Sequence, residues 1–396
     1  MNHKFLMILL TAALLAWSAQ AGVLVQCPGD VTGDAVIDVP DPLHPDATCR
    51  HLGAGDGFAF MADGTEIYTF GFSELTGVMP EHAMHHGMLA AQLPSPTIVQ
   101  AEGDEFYLTL TNVGMMMRPD LFDPHTVHWH GFANAASIFD GMPGASIAIN
   151  MGASLTYYYQ VEDPGTYIYH CHVEATEHMQ MGMIGNLYVT PAQNELPDGY
   201  TFPNGFVHQN GAEQQFHYVY NDNDGSTYYD VEYPLQFTGF DRIFHEEHLA
   251  VQPLPFALMA DTYGLINGRG YPDTLLPDNE ATLPYQKSSS LVAAEVGQKI
   301  LLRLSNVSTT DFFTIRTLGL PMRVVGKDAR LLRGPTGVNL AYTTNSITLG
   351  GGETMDVIVD TAGKAAGTYF LYTTNLNFLS NDAEDFGGIM TEIHLN

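Results

Sequence analysis

The chain has 396 residues, 45% hydrophobic and 15% charged, with 14 Lys+Arg against 44 Asp+Glu and a formal net charge of −30. That balance excludes a nucleic-acid binder, which needs cations to neutralise phosphate, disfavours an anionic membrane surface and suits cationic partners. Twenty Tyr and 21 Phe are too many for a solvated coil, and 3 Cys are too few for a disulfide scaffold, whereas 17 His and 18 Met point to a soft or borderline metal, copper first.

At the N-terminus Met-Asn-His-Lys is followed by an apolar run, Phe5 to Trp17, and then by Ser18-Ala19-Gln20-Ala21-Gly22. A short positive start, an apolar core and an Ala-x-Ala ending predict a cleaved signal peptide over 1–21 and a secreted or periplasmic protein. The run is too short to span a bilayer comfortably, and no other segment reaches that length. In an oxidising compartment Cys27 and Cys49 are expected to form a disulfide around a polar Pro/Asp-rich loop, leaving Cys171 unpaired. Residues 22–92 read as an irregular extension packed on the segment that follows. Within it, Asp30, Thr32, Asp34 and Asp38 are spaced as in a calcium loop but lack the closing Glu, so a polar turn is expected. The segment Met79-Pro-Glu-His82-Ala-Met84-His85-His86-Gly-Met88 is either a soft-metal loading loop or a flexible solvated loop.

From there on, short Tyr/Val/Ile/Thr-rich runs separated by Gly, Pro, Asn and Asp recur, among them 105–112, 154–161, 165–170, 299–306 and 367–374. They predict an all-β protein of sandwiches or barrels. The pattern repeats internally. Ala101-Glu102 leads to Leu110-Thr-Asn-Val113, as Ala294-Glu295 leads to Leu304-Ser-Asn-Val307; Gly165-Thr-Tyr-Ile-Tyr-His170 matches Gly367-Thr-Tyr-Phe-Leu-Tyr372. Two tandem Greek-key domains are therefore expected, over 93–192 and 211–396, with a Pro/Asn/Gly-rich linker at 193–210. In this alignment His125, His128 and His130 fall opposite Phe313, Arg316 and Leu318, and His170-Cys171-His172 falls opposite Tyr372-Thr373-Thr374. The candidate ligands thus belong to the first copy alone.

On a strand, alternate side chains share a face, so His128 and His130 point one way, and so do His170 and His172, with Cys171 turned inward. If the two strands are neighbours, four imidazoles converge. His125, His178 and Met183 from adjoining loops can close a second site around Cys171; two His, a thiolate and a weak axial Met form the ligand set of an electron-transfer copper. Cys171 would join the two sites covalently. Met183 has core packing as its plain alternative.

These motifs, HTVHWHG and HCH-x5-H-x4-M, resemble those of the multicopper oxidases, especially two-domain laccases, and more distantly the copper nitrite reductases; SPTIVQAEGDEFYLTLTN, DGMPGASI, GTYIYHCH and MGMIGNLYV extend the likeness. The resemblance implies two cupredoxin-like domains with copper as cofactor. It implies His125, Cys171, His178 and Met183 as type 1 ligands, and His128, His130, His170 and His172 as candidate type 2 or type 3 ligands. Two departures stand out. Five residues, Val173 to Glu177, separate HCH from the next His, where laccases have three. The second copy has no His-x-His pair and carries Arg316 where a ligand would be, so the family's usual trinuclear cluster cannot be built in the usual way. A reduced site is left, with a neighbouring subunit of a homotrimer as the precedent that the nitrite reductases offer. His245-Glu246-Glu247-His248 has the wrong spacing for a zinc protease motif and is weighed as a ligand donated across a subunit interface. The expected function is an exported oxidoreductase passing electrons from a cationic donor, a metal ion or a cytochrome, to a small oxidant such as dioxygen or nitrite. The alternative is a blue-copper electron carrier or a periplasmic copper-binding or resistance protein.

Overall fold

Alternation of apolar and polar residues makes the strands, and two packed sheets bury the apolar faces of each copy. The structure, a computed structural model, describes residues 23–211, 215–250 and 253–396; the signal peptide expected over 1–21 lies outside the described residues. The first copy comprises β1 (Ala47–Phe60), β2 (Glu66–Glu74), β3 (Ile98–Ala101), β4 (Glu105–Gly114), β5 (His128–His130), β6 (Ser154–Gln160), β7 (Gly165–His170) and β8 (Ile184–Thr190). They form two four-stranded sheets, in the orders β2-β1-β4-β6 and β3-β8-β7-β5. Between them lies an aromatic core that includes Phe70, Phe72, Phe106, Trp129, Tyr159 and Tyr169.

This corrects the irregular extension expected over 22–92, because β1 and β2 make half of the first sheet. Their pattern was hidden by glycine, which lends a strand no side chain to count. Glycine fits closely here: a Cβ on Gly57 or Gly71 would meet Ala91 at 3.1 or 3.0 Å, so the bare backbone lets the chain near Ala91 lie across the strand pair. Cys27, ahead of β1, is joined to Cys49 near the start of that strand, closing a 22-residue separation. The loop they close is the polar turn expected: the Asp30 carboxylate accepts from the backbone N–H of Gly33, Asp34 and Ala35, and that of Asp38 from Val31 and Thr32. The Met/His segment forms a single turn and a short helix, α1 (Ala83–Gly87), with His82, His85 and His86 exposed.

In the second copy, strands Tyr263–Ile266, Val231–Phe240, Lys299–Asn306 and Thr354–Asp360 lie in the order of β2-β1-β4-β6. Strands Val292–Ala294, Met390–Leu395, Gly367–Thr373 and Phe313–Thr317 follow that of β3-β8-β7-β5. The sequence repeat is thus a repeat of topology. Asn112 and Asn306 mark it at atomic level. Each donates its amide to two backbone carbonyls, those of Asp123 and Ile149 and those of Asp311 and Leu349, and each accepts from the N–H two residues on.

The copies are locked together by buried polar contacts. Asn186 accepts from Gln236 and Ser305 at 2.9 Å each, and Thr166 donates to Asp356 at 2.5 Å. A helix after the second copy's first strand (Arg242–Leu249), capped by Asp241, sends Phe244 into the first copy's core. Among the described residues no helix is long and apolar enough to cross a membrane.

Candidate metal centre

β5 runs antiparallel to β7, with His128 opposite His170 and Trp129 opposite Tyr169. Because side chains alternate, the aromatic pair enters the core, where the Trp129 ring lies 5.4 Å from that of Tyr169, and the histidines gather on the other face. Ring centroids are 5.2 Å apart for His128 and His170, 4.9 Å for His128 and His172, and 5.8 Å for His130 and His170. His128 Nδ1 lies 2.5 Å from the Asp140 carbonyl and His170 Nδ1 2.8 Å from that of Cys171. A carbonyl can only accept, so each Nδ1 carries the proton and each Nε2 keeps a lone pair for a ligand. Donor atoms of His128, His130 and His170 fall within 4.8 Å of one another; His172 borders the same cavity, of about 440 Å³, without joining that triplet.

On the other side of the β7 strand end, Cys171 is fully buried in the first core beside Met181 and Met183. His178 Nδ1 lies 3.2 Å and His125 Nδ1 3.8 Å from its sulfur, and donor atoms of all three lie within 4.8 Å. The longer spacing between HCH and His178 is taken up by a short helix, α2 (Ala175–Gln180), entered through Glu174 at φ +46°. Its exit folds back on the thiol: Met183 N–H donates to the His178 carbonyl and Cys171 N–H to that of Met183. Met183 is completely buried at this closure.

Burial sets the protonation of both clusters. It pushes the Cys171 thiol up to about 11, holds His178 at about 4 and His170 at about 3, and lowers His125, His128 and His130. Neutral imidazoles are the ligand form, and a bound cation would reverse the effect on the thiol by deprotonating it. Two imidazoles aimed at one sulfur in a dry core fit copper, whose donors of choice are these.

The second copy faces the histidine cavity with Ser308 to Phe312, Gly351 and Gly352, and among the described residues it supplies no histidine to it. A Cβ on Gly352 would come 2.9 Å from His130 Nε2, so the glycine lets the second copy approach that ring. His245 and His248, weighed above as ligands offered to another subunit, are buried within this chain instead. The helix carrying them packs on β2; His245 Nδ1 lies 2.5 Å from the Tyr68 carbonyl and His248 Nε2 3.3 Å from Glu177. Sequence reasoning did not find Asp140, Glu177, or Asp123, which lies 3.9 Å from His178 Nε2. Their partners, His128, His248 and His178, are met only in the folded chain, and no motif marks them.

Two cupredoxin-type sandwiches, one carrying a thiolate–imidazole cluster and a histidine cluster, define a copper protein, and the comparisons agree. Multicopper oxidase models match residues 78–194 and 245–392, more than half of the chain between them. The chain belongs to the multicopper oxidase family, whose cofactor is copper. It is 27% identical over 278 residues to copper resistance protein A of Escherichia coli, covering 69% of this chain and 42% of that protein. It is 26% identical over 284 residues to multicopper oxidase MmcO of Mycobacterium tuberculosis, covering 68% and 47%. The alignments thus span less than half the length of these relatives. Among solved structures, the blue copper oxidase of Nitrosomonas europaea matches with a TM-score of 0.62 at 23% identity, covering 87% of this chain and 85% of that one. The copper nitrite reductase of the same organism matches at 0.54 and 15% identity, covering 87% and 93%.

Proposed function

We propose that this protein is an exported copper-dependent oxidoreductase. In this reading His125, Cys171, His178 and Met183 hold a type 1 copper that receives electrons from outside. His128, His130, His170 and His172 hold a second copper site, where dioxygen or nitrite is reduced. The single observation that carries the reading is continuity: Cys171 lies in the thiolate cluster, while its neighbours His170 and His172 line the histidine cavity. Copper at such donors supplies one-electron redox chemistry. The chain's own part is to orient and to exclude. The carbonyls of Asp140 and Cys171 fix two ring tautomers, the aromatic core keeps water from the sulfur, and the cavity leaves room for a small oxidant. A net charge of −30 favours a cationic donor, either a reduced metal ion or the basic face of a cytochrome.

A second reading is a periplasmic copper-binding or electron-carrier protein without turnover. The surface histidines of α1 and the likeness to copper resistance protein A favour it. Copper stoichiometry of the loaded protein, taken with its visible and paramagnetic-resonance spectra, separates the two. More than one copper, with a second non-blue or spin-coupled signal, supports the oxidoreductase, whereas one copper with a purely blue signal supports the carrier. Mass in solution reports separately on the homotrimer that the nitrite reductase likeness suggests.

A further inference from the structure

Behind the second copy's side of the histidine cavity lies another cavity, of about 530 Å³, bordered by Asp261, Thr262, Asn375, Ser380 and Asp382. Thr310 and Asp311 line both cavities and so form the partition between them. Thr310 Oγ1 lies 2.6 Å from Asp261 Oδ2 and 2.9 Å from Asp311 Oδ2. A threonine hydroxyl has one proton to donate. It can serve only one carboxylate, so both contacts are hydrogen bonds only when the other carboxyl carries a proton of its own. With one of the carboxyls protonated, the three groups form a continuous carboxyl–hydroxyl–carboxyl line.

The position of Asp261 is built rather than accidental. Its carboxyl lies over Gly239, where a Cβ would come 2.0 Å from Oδ2. Gln180 donates to Oδ1 at 3.0 Å, and Ser308 reaches Oδ2 at 3.3 Å. Facing it are the amide of Gln180, the hydroxyls of Ser308 and Thr310, and the carboxylate of Asp311. Burial is the main reason that Asp261 is held up at about 6, and Asp311 adds to it. No lysine or arginine among the described residues forms an ion pair with it to oppose this.

We propose that Asp261, Thr310 and Asp311 form a proton wire from the second cavity into the histidine cavity, feeding protons to the oxidant reduced there. The proposal rests on the oxidoreductase reading. Each electron that the external donor gives to dioxygen on its way to water is matched by one proton. Asp261 gives its proton to Thr310 as Thr310 passes its own to Asp311, Asp311 then releases that proton into the histidine cavity, and water in the second cavity reprotonates Asp261. The wire ends each cycle as it began.

Two measurements test it. In the metal-free protein, an infrared titration through about pH 6 should show a carboxylic-acid stretch that is present in the wild type, lost in Asp261→Asn and retained in Asp382→Asn, a variant of the same cavity outside the wire. In the copper-loaded protein, Asp261→Asn and Thr310→Val should slow oxidant consumption at least about tenfold and flatten its pH profile. Anaerobic bleaching of the blue centre by the donor should keep its wild-type rate, which a folding defect would not spare. An identical infrared band in the wild type and Asp261→Asn overturns the proposal, as do wild-type turnover and pH profile in both variants. A wild type that binds copper yet consumes no oxidant fails earlier, at the reading on which the wire rests, and is recognised by that alone.

Discussion

His128 stands directly across the strand pair from His170, and at the equivalent register of the second copy Arg316 stands across from Tyr372. The same backbone frame thus presents two imidazoles in one half of the chain and a guanidinium beside a phenol in the other. Arg316 is exposed and cannot lose its charge, so the second frame opposes a cation where the first collects donors. In the proposed reading copper chemistry is asymmetric because of side chains at a few ladder positions, set on a strand order that both copies share.

Replacing Cys171 by Ser should abolish the blue absorption and all turnover. The hydroxyl would sit in an apolar core without the donated backbone N–H geometry that suits sulfur, at a cost of about 1–3 kcal/mol. Visible spectra and urea unfolding of the same samples check both halves. A variant that kept the blue band would remove Cys171 from the centre.

His170→Ala should behave in the opposite way. It removes a ring from the histidine triplet but leaves the sulfur, His125 and His178 in place. Blue absorption should persist, total copper per chain should fall, and oxidant consumption should drop to background. Metal analysis with paramagnetic resonance is the measurement.

The metal-free protein should lose stability between about pH 6.5 and pH 4. Burial holds His51, His178 and His245 near 4, against an ordinary value of 6.5, with desolvation the main cause in each. In this window the unfolded chain binds protons that the folded chain refuses, so stability is full above 6.5 and falls as pH drops toward 4. Melting temperatures across a pH series should show the slope. Filling the metal sites should shift it, since ligation competes with protonation.

Breaking the Cys27–Cys49 bond by a double serine substitution should cost about 3 kcal/mol, mainly by freeing the unfolded chain. The bond anchors the Asp30 loop to the start of β1 and neither cysteine belongs to a ligand cluster, so the spectrum of the copper-loaded protein should not change. Denaturant midpoint and visible absorption, compared side by side, test this.

The candidate site was largely legible in the sequence, and the fold somewhat less so. His-x-His and His-Cys-His on strands announce their shared face through the period of two, and the register of β5 on β7 brings them together. The repeat gave both halves the same topology. By contrast, β1 and β2 stayed hidden, because Gly53, Gly55, Gly57 and Gly71 leave gaps in the apolar pattern that only packing explains: a Cβ on Gly57 or Gly71 would meet Ala91, one on Gly53 Ser73 and Leu75, and one on Gly55 Val113. His245 and His248 looked available to another subunit because nothing in a helix's own sequence tells which core will receive it. The carboxyls around the clusters, Asp123, Glu177 and Asp261, were equally silent, their surroundings being assembled from distant segments.

The helix that carries Phe244, His245 and His248 has one more consequence. Although it follows the first strand of the second copy, its apolar face completes the core of the first, against β2. Cutting the chain after Thr190 would therefore leave a hole where Phe244 belongs and bare the Tyr68 carbonyl that His245 covers. The two halves are alike in plan yet cannot be traded as interchangeable modules: each needs the other to be whole, and the molecule should melt in one step.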